Sequence, residues 1–196
     1  MQRFVQIRLI TLAAMFLLMP HLVGSSDRGR MPSQMHYPDR RMLVRTVVRG
    51  LDLWSADVEE LVLRTGVVES LYLFRAGFNA APERGFWQIH PETAADILFR
   101  YLVRPSKHEL RRRMELLLGY SIHVLENDPQ MLQRELRDND VLGVALCRLW
   151  YVMSPHPIPG ANNLEAQGEL WKKWFNTGQG SGTVEYFVSI VNQRGV

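Results

Sequence analysis

Apolar residues along most of this chain recur at the three-and-four spacing of one helix face, and the strict alternation of a half-buried strand is nearly absent. That periodicity, punctuated by capping residues, limits the fold more than any other feature. Ser55 is placed to cap a helix with Val58, Leu61, Val62 and Thr65 on one face, ending near Glu69. Pro91 suits a first helical position, followed by Ala94, Ile97, Leu98, Tyr101 and Leu102 as a core stripe. Pro105 ends that helix, Ser106 and Glu109 form a capping box for the next, and Gly119 stops it after Leu118. Asp128-Pro129 opens a short helix to about Arg137. Asp138 or Asn139 caps an apolar helix from Val141 to Met153. Ser154 to Gly160, with three prolines, is a rigid connection. Asn162 or Asn163 caps a helix through Trp174, Asn176 to Gly182 is a Gly-rich turn, and Thr183 caps a last helix carrying Tyr186, Phe187, Ile190 and Val191. The expectation is an all-α domain of about seven helices.

With 196 residues the chain has enough length for one ordinary core, and neither internal repeats nor low-complexity tracts interrupt it. A single cysteine, Cys147, excludes an intramolecular disulfide framework and reads as a small buried hydrophobe. The six histidines show no metal-ligand spacing, so neither a metal nor another cofactor is expected. Residues 1–25 have the parts of a secretory signal: Arg3 and Arg8, an apolar run from Leu9 to Met19, Pro20, and Val23-Gly24-Ser25 at the cleavage positions. The run is short for a bilayer span. The expectation is an exported product in the periplasm or cell envelope. The alternative is an upstream extension before a start at Met31, Met35 or Met42, which would leave the protein cytoplasmic or virion-associated. Residues 27–50 hold six arginines (28, 30, 40, 41, 45, 49) against Asp27 and Asp39, whereas residues 51–196 hold 15 Lys and Arg against 18 Asp and Glu. Residues 26–50 are therefore expected to be a basic arm or linker ahead of a domain over 51–196. Such an arm suits an anionic wall polymer or membrane surface. Nucleic acid is not expected, for want of interleaved aromatics and a reader motif, and a monomer is expected.

The stretch from Val67 to Leu102 reads VVESLYLFRAGFNAAPERGFWQIHPETAADILFRYL. Glu69-Ser70 stands where an apolar helix ends; a loop follows, then Gly85-Phe-Trp-Gln88-Ile89 and Pro91-Glu-Thr-Ala94. Further on come Asn139 with Gly143 and Leu146, then Trp174-Phe-Asn-Thr-Gly-Gln-Gly180, then Thr183-Val-Glu-Tyr186-Phe-Val188. In this order the four strings resemble the motifs of lytic transglycosylases, the lysozyme-like SLT-domain enzymes that cut peptidoglycan, across residues 67–191. The stretch from Trp150 to Phe187 also looks like transglycosylase-related proteins of phages and prophages. Two departures are visible: the Glu69–Gly85 loop is one residue longer than the family's usual spacing, and Phe175 replaces a Tyr.

The resemblance implies a lysozyme-like helical fold of the goose-lysozyme and lytic transglycosylase kind, with peptidoglycan glycan strands as substrate. It implies Glu69 as the catalytic acid and base, and Ser70, Trp87, Gln88, Phe175, Asn176 and Tyr186 as substrate-contacting residues. Breaking a glycosidic bond needs a carboxylic acid still protonated near neutral pH, and an apolar setting such as Val67-Val68 and Leu71-Tyr72 raises a Glu pKa. In the family the same Glu then acts as base on the muramoyl 6-hydroxyl, so that one carboxylate suffices. Gln88 and Asn176 offer amides that both donate and accept. Trp87 and Phe175 offer apolar faces to sugar rings, and Tyr186 is expected to bond and orient Glu69. The plain alternatives are a solvated helix-end Glu69, Asn176 as a left-handed helix terminus, and Tyr186 as core; Trp150, Trp171 and Trp174 read as core. A hydrolytic muramidase, or a non-catalytic virion or wall-associated protein with this fold, are the competing functions.

Overall fold

The computed structural model describes residues 37–77, 82–176 and 181–196. The signal-like residues 1–25 lie outside them. Nine α-helices make up the described residues, with no β-strand among them and only the isolated bridges Ala76–Arg84 and Arg84–Ile89 in the loop after the second helix. The domain is all-α.

The first helix, α1 (Tyr37–Gly50), corrects the reading of residues 26–50 as a linker over its described part, residues 37–50; residues 26–36 lie outside the described residues. Val44, Val47, Val48 and Leu51 lie on one stripe and are fully buried, so α1 belongs to the core. Its arginines face carboxylates of the same domain. Arg45 forms two 2.8 Å hydrogen bonds to Glu59, Arg41 pairs with Glu60, and Arg40 reaches Asp140 at 3.0 Å. Arg49 lies 4.4 Å from the centre of the Trp54 ring.

Ser55 accepts the Val58 amide and opens α2 (Ala56–Ser70). After the loop, Pro91 begins a short α3 (Pro91–Ala95) that widens into a π-helical turn, Asp96–Tyr101. The capping box at Ser106 does not form. Pro105–Lys107 is a 3₁₀ turn, α4 (His108–Leu118) starts without a side-chain cap, and Glu109 bonds Arg112 instead. A short α5 (His123–Asn127) leads to α6 (Pro129–Asp138), capped by Asp128. Asn139, rather than Asp138, caps α7 (Asp140–Val152). Leu142, Val144, Ala145, Leu146, Cys147 and Leu149 are all fully buried, making α7 apolar around nearly its whole circumference, the pattern of a helix surrounded by others. It contacts α1, α2, α4, α6 and both π turns. Asn163 caps α8 (Leu164–Leu170), which widens into a second π turn, Trp171–Phe175. Thr183 caps α9 (Val184–Arg194), which packs on α8 and α2.

Candidate active site

Glu69 sits in the last turn of α2, where the residues from Gly66 to Ser70 leave the helix interior for the loop. The exit is sharp: Leu71 and Tyr72 both take left-handed backbone angles, φ 54° and 53°, which non-glycine residues adopt at a cost. The tightness of the turn is secured locally. The Ser70 hydroxyl donates to the Gly66 carbonyl at 3.1 Å and accepts the Tyr72 amide at 3.1 Å, and the Tyr72 hydroxyl donates to the Leu63 carbonyl at 2.8 Å.

The chain reversal leaves Glu69 partly exposed, its carboxyl turned toward α8 and α9. Trp171 Nε1 donates to Glu69 Oε1 at 2.8 Å. Burial raises the Glu69 pKa from its ordinary 4.5 to about 7; the Trp171 bond opposes the rise and the negative charge of Glu83 adds to it. A helix C-terminus, where the backbone dipoles present their negative end, likewise disfavours a carboxylate. Near neutral pH about half of such carboxyls hold a proton, the state a general acid needs.

The surrounding groups are low in charge. The Tyr186 hydroxyl is buried without a hydrogen-bond partner among the described residues, and burial, with the Glu69 charge behind it, pushes its pKa up. Burial also holds the Cys147 thiol and the Tyr151 phenol well above their usual ranges. The Tyr151 hydroxyl bonds Thr65 Oγ1 at 2.9 Å while its ring stacks on Phe175, 5.7 Å between centres.

The second π turn supplies the Glu69 partner. It closes with the Asn176 amide on the Trp171 carbonyl at 2.9 Å, five residues back. Trp171 is 1% exposed, its ring 5.4 Å from that of Phe187, and Gly182 lies so close to its far edge that a Cβ there would collide with the indole. Trp150 Nε1 donates to the Trp174 carbonyl at 3.1 Å and Trp174 Nε1 to the Trp150 carbonyl at 2.8 Å, which fastens this turn to α7.

The other side of the site is formed by the described parts of the following loop, residues 73–77 and 82–90. Its base is clamped by Asp140, in the first turn of α7, which holds Arg75 through bonds of 2.7 and 3.0 Å and Arg40 at 3.0 Å. The two guanidinium groups lie 3.9 Å (Arg75) and 4.1 Å (Arg40) from the centre of the Phe86 ring. Gly77 and Gly85 amides close the loop on the Glu83 and Arg75 carbonyls.

Several expected substrate contacts are turned to other work. Ser70 is 2% exposed and spends its hydroxyl on the α2 exit, so it is no substrate ligand in this arrangement. Trp87 is no sugar platform. It is wholly buried, donates from Nε1 to the Val62 carbonyl at 2.9 Å and packs against Gly143, where a Cβ would stand 2.9 Å from the ring. A fully enclosed indole needs such an acceptor, and the close approach explains the glycine in α7. Gln88, left-handed at φ 47°, donates from Nε2 to the Gly85 carbonyl at 2.6 Å and holds its own loop. Asn176 is right-handed, φ −75°, not the left-handed terminus, and its Oδ1 accepts from Lys172 at 3.0 Å. Phe175 is partly buried on Tyr151. Tyr186 stands within electrostatic reach of Glu69 but makes no bond to it; Trp171 does.

Trp171 and Glu83 are therefore the site residues missed in the sequence. Trp171 looked like core because its ring is core; only its single N–H belongs to the site. Glu83 carries no positional signal, being one carboxylate in an irregular loop. Among the described residues no group of three His, Cys, Asp or Glu side chains is placed to hold a metal ion. Models of protein families, curated proteins and solved structures were all compared with this chain, and none matches it.

Proposed function

We propose that this is a lysozyme-like, lytic transglycosylase-type domain that cleaves the β-1,4 bond between MurNAc and GlcNAc in peptidoglycan glycan strands. The observation that carries the reading is Glu69: its carboxyl is held by the Trp171 indole and raised to about 7 by burial. The motif order over residues 67–191 supports it. In the reaction the protonated Glu69 gives its proton to the glycosidic oxygen as the bond from the muramoyl C1 breaks. The resulting carboxylate takes the proton of the 6-hydroxyl, whose oxygen closes on C1. The products are a free GlcNAc 4-hydroxyl and 1,6-anhydroMurNAc, with Glu69 returned to its acid form. The Tyr186 hydroxyl, buried and unpartnered among the described residues, stands within electrostatic reach of this carboxyl.

One observation favours a hydrolytic variant: the charge of Glu83 is felt at Glu69, and a second carboxylate is what activates water in inverting glycosidases. Mass spectrometry of digested sacculi separates the readings. Anhydro ends are expected; reducing-end muramic acid would assign hydrolysis. Glu69→Gln is expected to lose more than the ~10²–10⁴ of one acid–base step, and Glu92→Gln, on an exposed first helical turn, to stay active. An inactive wild-type protein of native fold would leave the non-catalytic virion or wall-associated role, consistent with Ser70, Trp87 and Gln88 bonding their own chain.

Export follows from the N-terminal pattern in the same proposal; among the described residues no helix is long and apolar enough to cross a membrane.

A further inference from the structure

Most arginines of this domain are neutralised by a neighbouring carboxylate, which makes the exceptions informative. Residues 100–113 hold six Lys and Arg against one Glu. Arg100 pairs with Asp96, Arg111 with Glu115, and Arg112 and Arg113 share Glu109, with Asp52 also near Arg113. Two cations of the run are left over. The Arg104 guanidinium lies 5.5 Å and the Lys107 ammonium 5.0 Å from the centre of the same Tyr101 ring, and among the described residues neither has an ion pair or a side-chain hydrogen bond.

A third cation, on α7, also lacks a carboxylate among the described residues. Arg148 donates from Nε to the Leu53 carbonyl at 3.2 Å; burial lowers its pKa, while Cys147 and Tyr101 act on it electrostatically in the opposite direction. Tyr101 itself is 7% exposed. Two cations without a carboxylate thus share one buried phenol ring where the first π turn meets the 3₁₀ turn before α4, and Arg148 is within electrostatic reach of its hydroxyl. Gathering like charges is unfavourable unless an anion joins them. The ring's negative face offsets part of the repulsion but supplies no hydrogen-bond acceptor in the plane of the cations' N–H groups.

We propose that the Tyr101 corner is a phosphate-binding site, with the exposed Arg104 and the half-buried Lys107 as its donors. A guanidinium forks onto two oxygens and an ammonium adds a point charge; a phosphate monoester, with three terminal oxygens and up to two negative charges, can engage both groups at once. The phosphate belongs to a soluble phosphate compound or to a phospholipid headgroup, and the exposed Val103 beside Arg104 fits the second source.

The test is binding by the whole protein to pyrophosphate in calorimetry, and to phosphatidylglycerol vesicles against phosphatidylcholine vesicles in sedimentation. The variants are Arg104→Gln/Lys107→Gln and, as a control of equal charge, Arg112→Gln/Arg113→Gln. Wild type and control are expected to bind at least one probe. The Arg104/Lys107 double variant is expected to lose about tenfold or more in affinity, since each charge-assisted bond is worth about that factor. Loss confined to pyrophosphate assigns a soluble ligand; loss confined to phosphatidylglycerol assigns a membrane surface. Equal binding by both double variants, or no binding of either probe by wild type, overturns the site. Both pairs of substituted residues are surface groups, so circular dichroism of each variant should match wild type.

Discussion

Replacing Glu69 by Gln isolates the electrostatics of the site from its catalysis. In the folded protein the carboxyl titrates at about 7, against an ordinary 4.5. Below about pH 4 the group is protonated whether the chain is folded or not, and the amide is a close match in size. It can still accept from Trp171 through its oxygen, so the two proteins should be equally stable there. Above that, the unfolded chain of the wild type ionises while the folded one stays protonated. A raised folded pKa means stability that is present at low pH and lost as pH rises through the interval. At about 1.4 kcal/mol per pH unit, the interval from 4.5 to about 7 amounts to about 3 kcal/mol. The variant has no such loss. Its advantage over wild type should therefore begin near pH 4.5, climb until about pH 7 and then level off at about 3 kcal/mol. Urea unfolding of both proteins, followed by tryptophan fluorescence at half-unit steps from about pH 4 to 8.5, reads this directly, because every other titrating group cancels in the difference. A difference that stays flat across the range would mean that the carboxyl titrates alike in both states, and the proposed acid would be lost with it.

Two further perturbations probe the frame around this carboxyl. Asp140→Asn leaves the Arg40 guanidinium, 3% exposed, without its counter-charge and should cost about 3–5 kcal/mol in urea unfolding at neutral pH; a cost below about 1 kcal/mol would show that the clamp does not hold the loop. Trp171→Phe removes the bond that opposes the Glu69 shift, so the carboxyl should titrate above about 7, visible as a displaced carbonyl resonance in carbon-labelled protein; a lower midpoint would contradict the assigned sign.

The helix boundaries were legible wherever a short polar side chain closes a first turn by itself, at Ser55, Asp128, Asn139, Asn163 and Thr183. Such caps are local, involving residues three apart. Helix α1 shows what a charge count conceals. Arg40, Arg41 and Arg45 read as an unattached basic tract because their partners Asp140, Glu60 and Glu59 lie on other helices, although the Val44, Val47, Val48 and Leu51 stripe was there to be read. Ser106 and Glu109 have the letters of a capping box, but Pro105 draws the chain into a 3₁₀ turn and two arginines take Glu109. At the site, the position of Glu69 followed from the motif, whereas its partner could not. Trp87 and Trp171 are both buried indoles in the sequence's apolar runs, and only the tertiary arrangement decides that one N–H meets a carbonyl and the other a carboxyl.

The π turn at Trp171–Phe175 also sets an angular phase. A wider turn rotates successive side chains by less than an α-helix does, so Trp174 diverges from the direction that α8, which still sets Trp171, would have given it. One indole thereby faces the end of α2 and the other α7, where it is locked by the paired bonds with Trp150. Shifting the turn to ordinary α geometry would break both bonds of that pair at once. What this segment encodes is thus a residue count: exchange of Lys173 for another helix former leaves the phase intact, while loss of a single residue between the two tryptophans would part Trp174 from Trp150 and unfasten the turn that carries Trp171 from α7.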